Sequence, residues 1–134
     1  MPTVENPKLT LVTTNNNVEI QVSYDAKFTK LDAGLAGLGL TFHEHIDVID
    51  DDGSSGQNTI LPDLFALTSL KPDATKGAQT IHRDVSKTVS RKDLDVDTGD
   101  DEIKIRIRIH APDMPLTFTE DVFTTSKILL GDVA

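Results

Sequence analysis

The stretch Val18–Phe28 reads VEIQVSYDAKF and decides the fold class of the chain. Every second residue in it is apolar or small, and these positions are Val18, Ile20, Val22, Tyr24, Ala26 and Phe28. A period of two residues is typical of a β-strand that has one face against a core and the other in water. We therefore expect a strand here, with Tyr24 on its buried face.

The same alternation recurs further along the chain. At 103–110 the sequence IKIRIRIH places four isoleucines on one face, and on the other a row consisting of Lys104, Arg106, Arg108 and His110. Because β-branched residues fit the half-buried surface of a sheet, this segment is predicted to be a second strand. Leu38–Val48 alternates with one interruption, Glu44, and Leu116–Phe123 is a fourth candidate. Weaker strand candidates are Leu9–Thr13, Thr59–Leu70, Thr80–Val89 and Ser126–Leu130.

Clusters of Asn, Asp, Gly and Pro separate these segments, at 15–17, 50–58, 71–77, 93–101 and 111–115. Such residues favour chain reversals, and strands joined by reversals pair antiparallel. One segment, LDAGLAGL at 31–38, fits either a helical turn or a crossover loop. We predict an all-β fold: an antiparallel two-sheet sandwich, immunoglobulin-like with Greek-key connections, of about seven or eight strands, formed by residues 1–134 as one domain.

Composition and charge limit the classes of partner. The 134 residues include 37% hydrophobic and 26% charged side chains, which is typical of a globular domain. Their formal net charge of −9 repels the phosphate backbone, so we expect no nucleic acid partner. No stretch approaches the roughly 18 apolar residues of a membrane span, so no membrane partner is expected either. Since MPTVENPKLT has no signal-peptide pattern, cytoplasmic is the default localisation, with export by another route left open.

Two histidines suggest a transition-metal site. His43 and His45 are two residues apart on a predicted strand, so their side chains leave the same face about 6.6 Å apart. Both imidazoles could meet one zinc ion, and His110 or Asp113 could add the third ligand that zinc needs. The alternative is that these are polar residues on the solvated face of a strand.

An acidic segment suggests a calcium site. The run DLDVDTGDDE at 93–102 offers hard oxygen ligands around a glycine, from Asp95, Asp97, Asp100, Asp101 and Glu102. Calcium accepts six to eight such oxygens in loose geometry. The loop 50–53 is a second candidate of the same kind. The alternative is a pair of solvated turns, in which Asp is common for reasons of backbone geometry.

Catalytic signatures are missing from the sequence, since it has no G-x-S-x-G, H-E-x-x-H or G-x-x-x-x-G-K-[ST] motif. Glu44 and Glu120 are the carboxylates that fall on the apolar phase of predicted strands, where a buried charge is costly unless it is paired or protonated. Two carboxylates that met in the interior could serve as acid and base in glycoside hydrolysis. The favoured interpretation is that one or both lie at a strand end, a bulge or an oligomer interface, where the inside/outside phase slips.

These patterns favour a non-catalytic structural or protein-interaction module, with a protein partner or a homo-oligomer and no cofactor. The positive row on 104–110 could bind an anionic ligand or the acidic surface of a second copy, or it could be a strand face paired with acidic neighbours. A calcium-assisted ligand-binding domain is the first alternative function, and a small enzyme with a Glu or His site is the second.

Overall fold

The architecture consists of two antiparallel sheets and two short helices. In a computed structural model, the structure is described for residues 2–51, 57–65, 68–94, 101–112, 121–124 and 127–129. Within those ranges the elements follow in this order: β1 (Thr3–Thr14), β2 (Asn17–Phe28), α1 (Lys30–Gly37), β3 (Phe42–Asp51), β4 (Gln57–Leu61), β5 (Thr68–Leu70), β6 (Gln79–Ser90), α2 (Arg91–Leu94), β7 (Asp101–His110), β8 (Asp121–Phe123) and β9 (Lys127–Leu129). The all-β prediction is thereby confirmed.

The first sheet has the strand order β1-β2-β6, and the second has the order β4-β3-β7-β8. In the second sheet β5 also pairs with β3 and β9 also pairs with β7. Because β7 pairs along nearly the whole of β3, both β4 and β5 lie on the other side of β3 and together form one interrupted edge. By the same argument, β8 and β9 form the interrupted edge beside β7.

Both sheets contribute to one hydrophobic core, as the alternation predicts. Along β2 buried and less buried residues alternate from Val18 to Phe28, and Tyr24 is only 1% exposed. The four isoleucines of β7 are buried in the same cluster. Since the buried face of each sheet joins a single core, burial of apolar surface is what holds the two sheets together.

The segment 31–38 lies in α1 up to Gly37, with Leu38 as the C-cap, which settles the choice between helix and loop that the sequence left open. Thr29 caps α1 in a capping box: its Oγ1 accepts a hydrogen bond from the Asp32 N–H at 3.1 Å, and its own N–H donates to Asp32 Oδ2 at 2.8 Å. Gly39 follows with φ +104°, a conformation that suits glycine. The strand predicted to begin at Leu38 therefore begins at Phe42.

The segment predicted as one strand, Thr59–Leu70, is divided into β4 and β5. Pro62 lacks the N–H that a ladder needs, and Asp63 has a left-handed φ of 46°. Leu64 then turns into the core, where it is 4% exposed and its N–H donates to the Ile46 carbonyl at 2.7 Å. The strand predicted at Leu116–Phe123 is described only over β8. In the described part of the chain, no helix is long and apolar enough to cross a membrane.

Candidate functional site

Glu44 lies on β3 and points into the core between the two sheets. Its side chain is 1% exposed and is bound by two residues of the facing sheet. The Tyr24 hydroxyl donates to Oε2 of Glu44, and Arg83 Nε donates to the same oxygen at 2.8 Å. Arg83 Nη2 donates to Oε1 at 3.4 Å. Since Tyr24 and Arg83 are directly opposite in the β2–β6 ladder, one carboxylate joins β3 to both of those strands.

The electrostatics of this trio agree with a structural role. Burial raises the pKa of the Tyr24 hydroxyl, and the hydrogen bond to Glu44 raises it further, so Tyr24 is a neutral donor. The hydrogen bond to Glu44 also raises the pKa of Arg83, which stays charged. Glu44 pairs regularly with Ile109 in the ladder, so it does not lie at a bulge, and its pairing with Arg83 compensates its burial. Glu120 lies outside the described residues.

The outer face of the second sheet carries the positive row of β7, in which both arginines are paired with acidic side chains. Arg106 Nη2 donates to Asp47 Oδ2 at 2.7 Å, and Asp47 is 5% exposed. Arg108 Nε donates to Asp121 Oδ1 at 2.9 Å, and Lys104 Nζ lies 4.6 Å from the centre of the Phe123 ring. These contacts favour the interpretation of the row as a strand face with acidic neighbours over that of an anion site.

The structure brings His43, His45 and His110 together at one end of this face. The His43 and His110 rings are 6.0 Å apart, and the His45 and His110 rings stack at 4.7 Å with an interplanar angle of 29°. His45 Nδ1 is 2.9 Å from Asp63 Oδ1, while His45 Nε2 and His110 Nδ1 are buried without a hydrogen-bond partner.

The zinc site stays a prediction. Nitrogen lone pairs lie in the ring planes, so stacked rings do not aim at one ion, and one ring would have to rotate. Among the described residues no group of three or more His, Asp or Glu is placed to hold a metal ion, and Asp113 lies outside them. The cluster does explain one electrostatic effect: burial lowers the pKa of His110, and the charges of His45, His43 and Arg108 lower it further.

The calcium site also stays a prediction. Asp95, Asp97 and Asp100 lie outside the described residues, as do residues 52 and 53 of the loop 50–53, whereas Asp50 lies in β3 and is 2% exposed. Asp101 begins β7 and pairs with Leu129, and the exposed Glu102 follows it in the strand.

Edge strands are the feature that sequence reasoning missed. β6 pairs with β2 without interruption over twelve residues, from Gln79 opposite Phe28 to Ser90 opposite Asn17. Among the described residues β6 pairs with β2 alone, so its other edge has no strand neighbour among them, and we call this edge open. An open edge presents unpaired N–H and C=O groups to any strand that can lie beside it.

The other edges are interrupted. β1 has a bulge between Glu5 and Lys8, with Asn6 at φ 53° and Pro7 within it. Both edges of the second sheet are broken into short strands. Bulges, prolines and short strands all protect an edge from foreign pairing. Among the described edges β6 is therefore the longest regular one.

The side chains of β6 explain why its alternation was a weak signal. Ile81, Val85 and Val89 pack against the rim of the core, but Arg83 and Lys87 occupy the inward phase between them. Arg83 binds Glu44, and Lys87 Nζ donates to the Leu64 carbonyl at 3.0 Å. Both inward cations are thus bound by the chain itself. The outward positions are exposed and consist of Thr80, His82, Asp84, Ser86 and Thr88.

A shallow groove of about 390 Å³ borders the carboxyl end of β6. Leu61–Leu64 form one wall of it and Lys87–Ser90 form the other. The open edge and this groove are contiguous, since residues 87–90 belong to both.

No family model matches the chain, and no curated protein matches it. The function therefore has to be argued from the geometry of the chain itself.

Removing one member of the buried trio should destabilise the protein strongly. Arg83→Met leaves the Glu44 carboxylate buried without its cation and should cost about 3–5 kcal/mol in urea unfolding. The double variant Glu44→Leu/Arg83→Met removes both charges and should recover much of that loss. The exposed pair Glu5–Lys27, 3.8 Å apart, is the control, and Glu5→Gln should change stability by less than about 1 kcal/mol. Additive losses in the double variant would contradict the coupling.

Stability should depend on pH through His110. Because the pKa of His110 is lowered in the folded state from its usual 6.5, the unfolded chain binds the proton more readily, so the free energy of unfolding should fall as the pH drops below 6.5. His110→Gln should flatten this fall in the free energy of unfolding between about pH 6.5 and 5. This pH range lies above the usual pKa values of Asp and Glu side chains. Urea unfolding of both proteins across this range measures it, and equal slopes would refute the assignment.

Proposed function

We propose that the chain is a non-catalytic protein-interaction module, an immunoglobulin-like sandwich that binds a partner strand along β6. The observation that carries the proposal is the open, regular, twelve-residue edge of β6. Strand addition to such an edge supplies affinity through backbone hydrogen bonds, and alternate side chains supply specificity. The net charge of −9 favours a protein over a nucleic acid as the partner.

The strand order supports the immunoglobulin-like part of the proposal. One sheet has three strands in the order β1-β2-β6. The other sheet has four strand positions side by side, in the order β4/β5, β3, β7 and β8/β9. The chain passes from one sheet to the other between β2 and β3, between β5 and β6, and between β6 and β7. The constant-type immunoglobulin fold differs in the place of one edge strand, the fourth along the chain. In that fold the fourth strand lies beside the fifth strand, whereas here the corresponding edge, β4/β5, lies beside the third strand, β3.

The groove at the end of β6 supports a partner of defined sequence. A strand laid along β6 passes its walls at residues 87–90, where the partly buried Leu61 and Val89 offer apolar surface. One large apolar side chain of the partner would be buried there. Backbone pairing with one anchoring pocket is a recurrent mode of peptide recognition.

The interaction module is favoured over an enzyme by the state of Glu44. Both of its oxygens accept hydrogen bonds from within the chain, and its side chain is 1% exposed, so the carboxylate lies out of reach of a substrate at the surface. The calcium-assisted alternative depends on Asp95, Asp97, Asp100, Asp101 and Glu102 and awaits its own test, a thermal melt with and without the ion.

Selection of peptides on the protein tests this function. Random twelve-residue peptides displayed on phage should yield binders with alternating apolar and polar residues and one large apolar residue near an end. Each synthetic binder should shift the backbone amide resonances of β6 and of the groove residues, and leave the edge amides of β1 unchanged, since β1 is protected by its bulge. Binders that map elsewhere, or none at all, would refute the strand-addition mode.

A further inference from the structure

We infer that the strand added to β6 is β6 of a second copy of this chain, antiparallel to the first and related to it by a two-fold axis at Arg83. The inference rests on the proposed function, since it names the partner of the same edge. In this register His82 lies opposite Asp84 of the second copy, Ile81 lies opposite Val85, and Thr80 lies opposite Ser86. An isologous contact of this kind closes on itself and gives a dimer rather than a fibre.

The outer face carries the charge complementarity. His82 Nδ1 is 2.7 Å from Asp25 Oδ1, and the ring is largely exposed, so its other nitrogen points away from that contact. When the imidazole is protonated, that nitrogen carries a hydrogen and can donate it to Asp84 of the second copy, which is also exposed. The two-fold axis repeats the pair, so the interface contains two His–Asp contacts on one face. Opposite charges directly across a ladder stabilise the pairing of strands.

The inner face continues the core. Ile81 and Val85 are only partly buried and pack against the core rim, so placing each opposite the other covers apolar surface in both copies. The two Arg83 residues meet at the axis, but each guanidinium is directed to its own Glu44. Their charges are compensated inside their own copies.

Other registers that keep each side chain on its own face lack this complementarity. A shift that centres the axis on Asp84 sets that carboxylate opposite itself. Centring it on Val85 sets Asp84 opposite the uncharged Ser86, and centring it on His82 sets two imidazoles together. Like charges directly across a ladder destabilise the pairing. The register centred on Arg83 is the one that sets an imidazole opposite a carboxylate on the outer face.

The test uses two exposed positions that this register places opposite each other, Thr80 and Ser86. We would make Thr80→Lys/Ser86→Lys and Thr80→Glu/Ser86→Glu. Each double variant sets two like-charged pairs across its own dimer and should dimerise about tenfold more weakly than the unchanged protein. An equimolar mixture sets two opposite-charged contacts instead and should recover dimers as a heterodimer. Sedimentation velocity over a concentration series measures the unchanged protein, each variant and the mixture.

The mixture also controls for folding, because unfolded variants would not recover. Recovery that weakens with added salt supports the register. Both variants dimerising like the unchanged protein, or a mixture no more dimeric than its components, would overturn it. An unchanged protein that is monomeric at every concentration would overturn self-association itself. In that case the selected peptides still report on the β6 edge, so the proposed function is judged separately.

Discussion

The buried carboxylate of Glu44 is the constraint on which the rest of the structure depends. Taking a charge out of water costs several kcal/mol, of the order of the whole stability of a small domain, unless partners replace the lost water. Here the partners Tyr24 and Arg83 come from the facing sheet. The carboxylate is therefore satisfied only when both sheets are formed and in register. An apolar core favours contact between the sheets, whereas this trio specifies how they are aligned.

The same contact holds β6 in place. An edge strand has one ladder neighbour, so it is less well held than a central strand. Arg83 ties the middle of β6 to β3 across the core, and Lys87 ties its carboxyl half to the Leu64 carbonyl. In many proteins, inward-pointing cations protect an edge strand from foreign pairing. Here, however, both of the inward cations of β6 are bound within the chain. The result is a strand that is fixed on its inner side and open along its outer edge, which is what a strand-binding surface requires.

How much of this could be predicted from the sequence differs between elements. β2 and β7 were predictable because Val18–Phe28 and Ile103–His110 alternate strictly, and a period of two has one structural meaning. β6 was only a weak candidate because Arg83 and Lys87 occupy core-facing positions. The reason for both cations, Glu44 and the Leu64 carbonyl, lies far away in the sequence. Glu44 itself was noticed as an exception, but its partners belong to strands whose pairing no local pattern reveals.

The candidate sites also differ in how far the sequence predicts them. The pairing of His43 with His110 follows from the β3–β7 register, and sequence reasoning anticipated that the two strands could be neighbours. The stacking of the His45 and His110 rings did not follow from any pattern, since rotamers are set by packing. An open edge is equally invisible to local patterns, because it depends on which strands find no neighbour.

Hydrogen exchange of the backbone amides of β6, measured in dilute solution, tests most directly the claim that this strand is fixed on one side and open on the other. Successive residues of an edge strand direct their N–H groups alternately to the neighbouring strand and outward. The account predicts that protection alternates along Gln79–Ser90, with every second amide nearly as slow as those of β2 and the others fast. Uniformly slow exchange would mean that the outer edge is already covered, and uniformly fast exchange would mean that β6 is not held; either result would contradict the account.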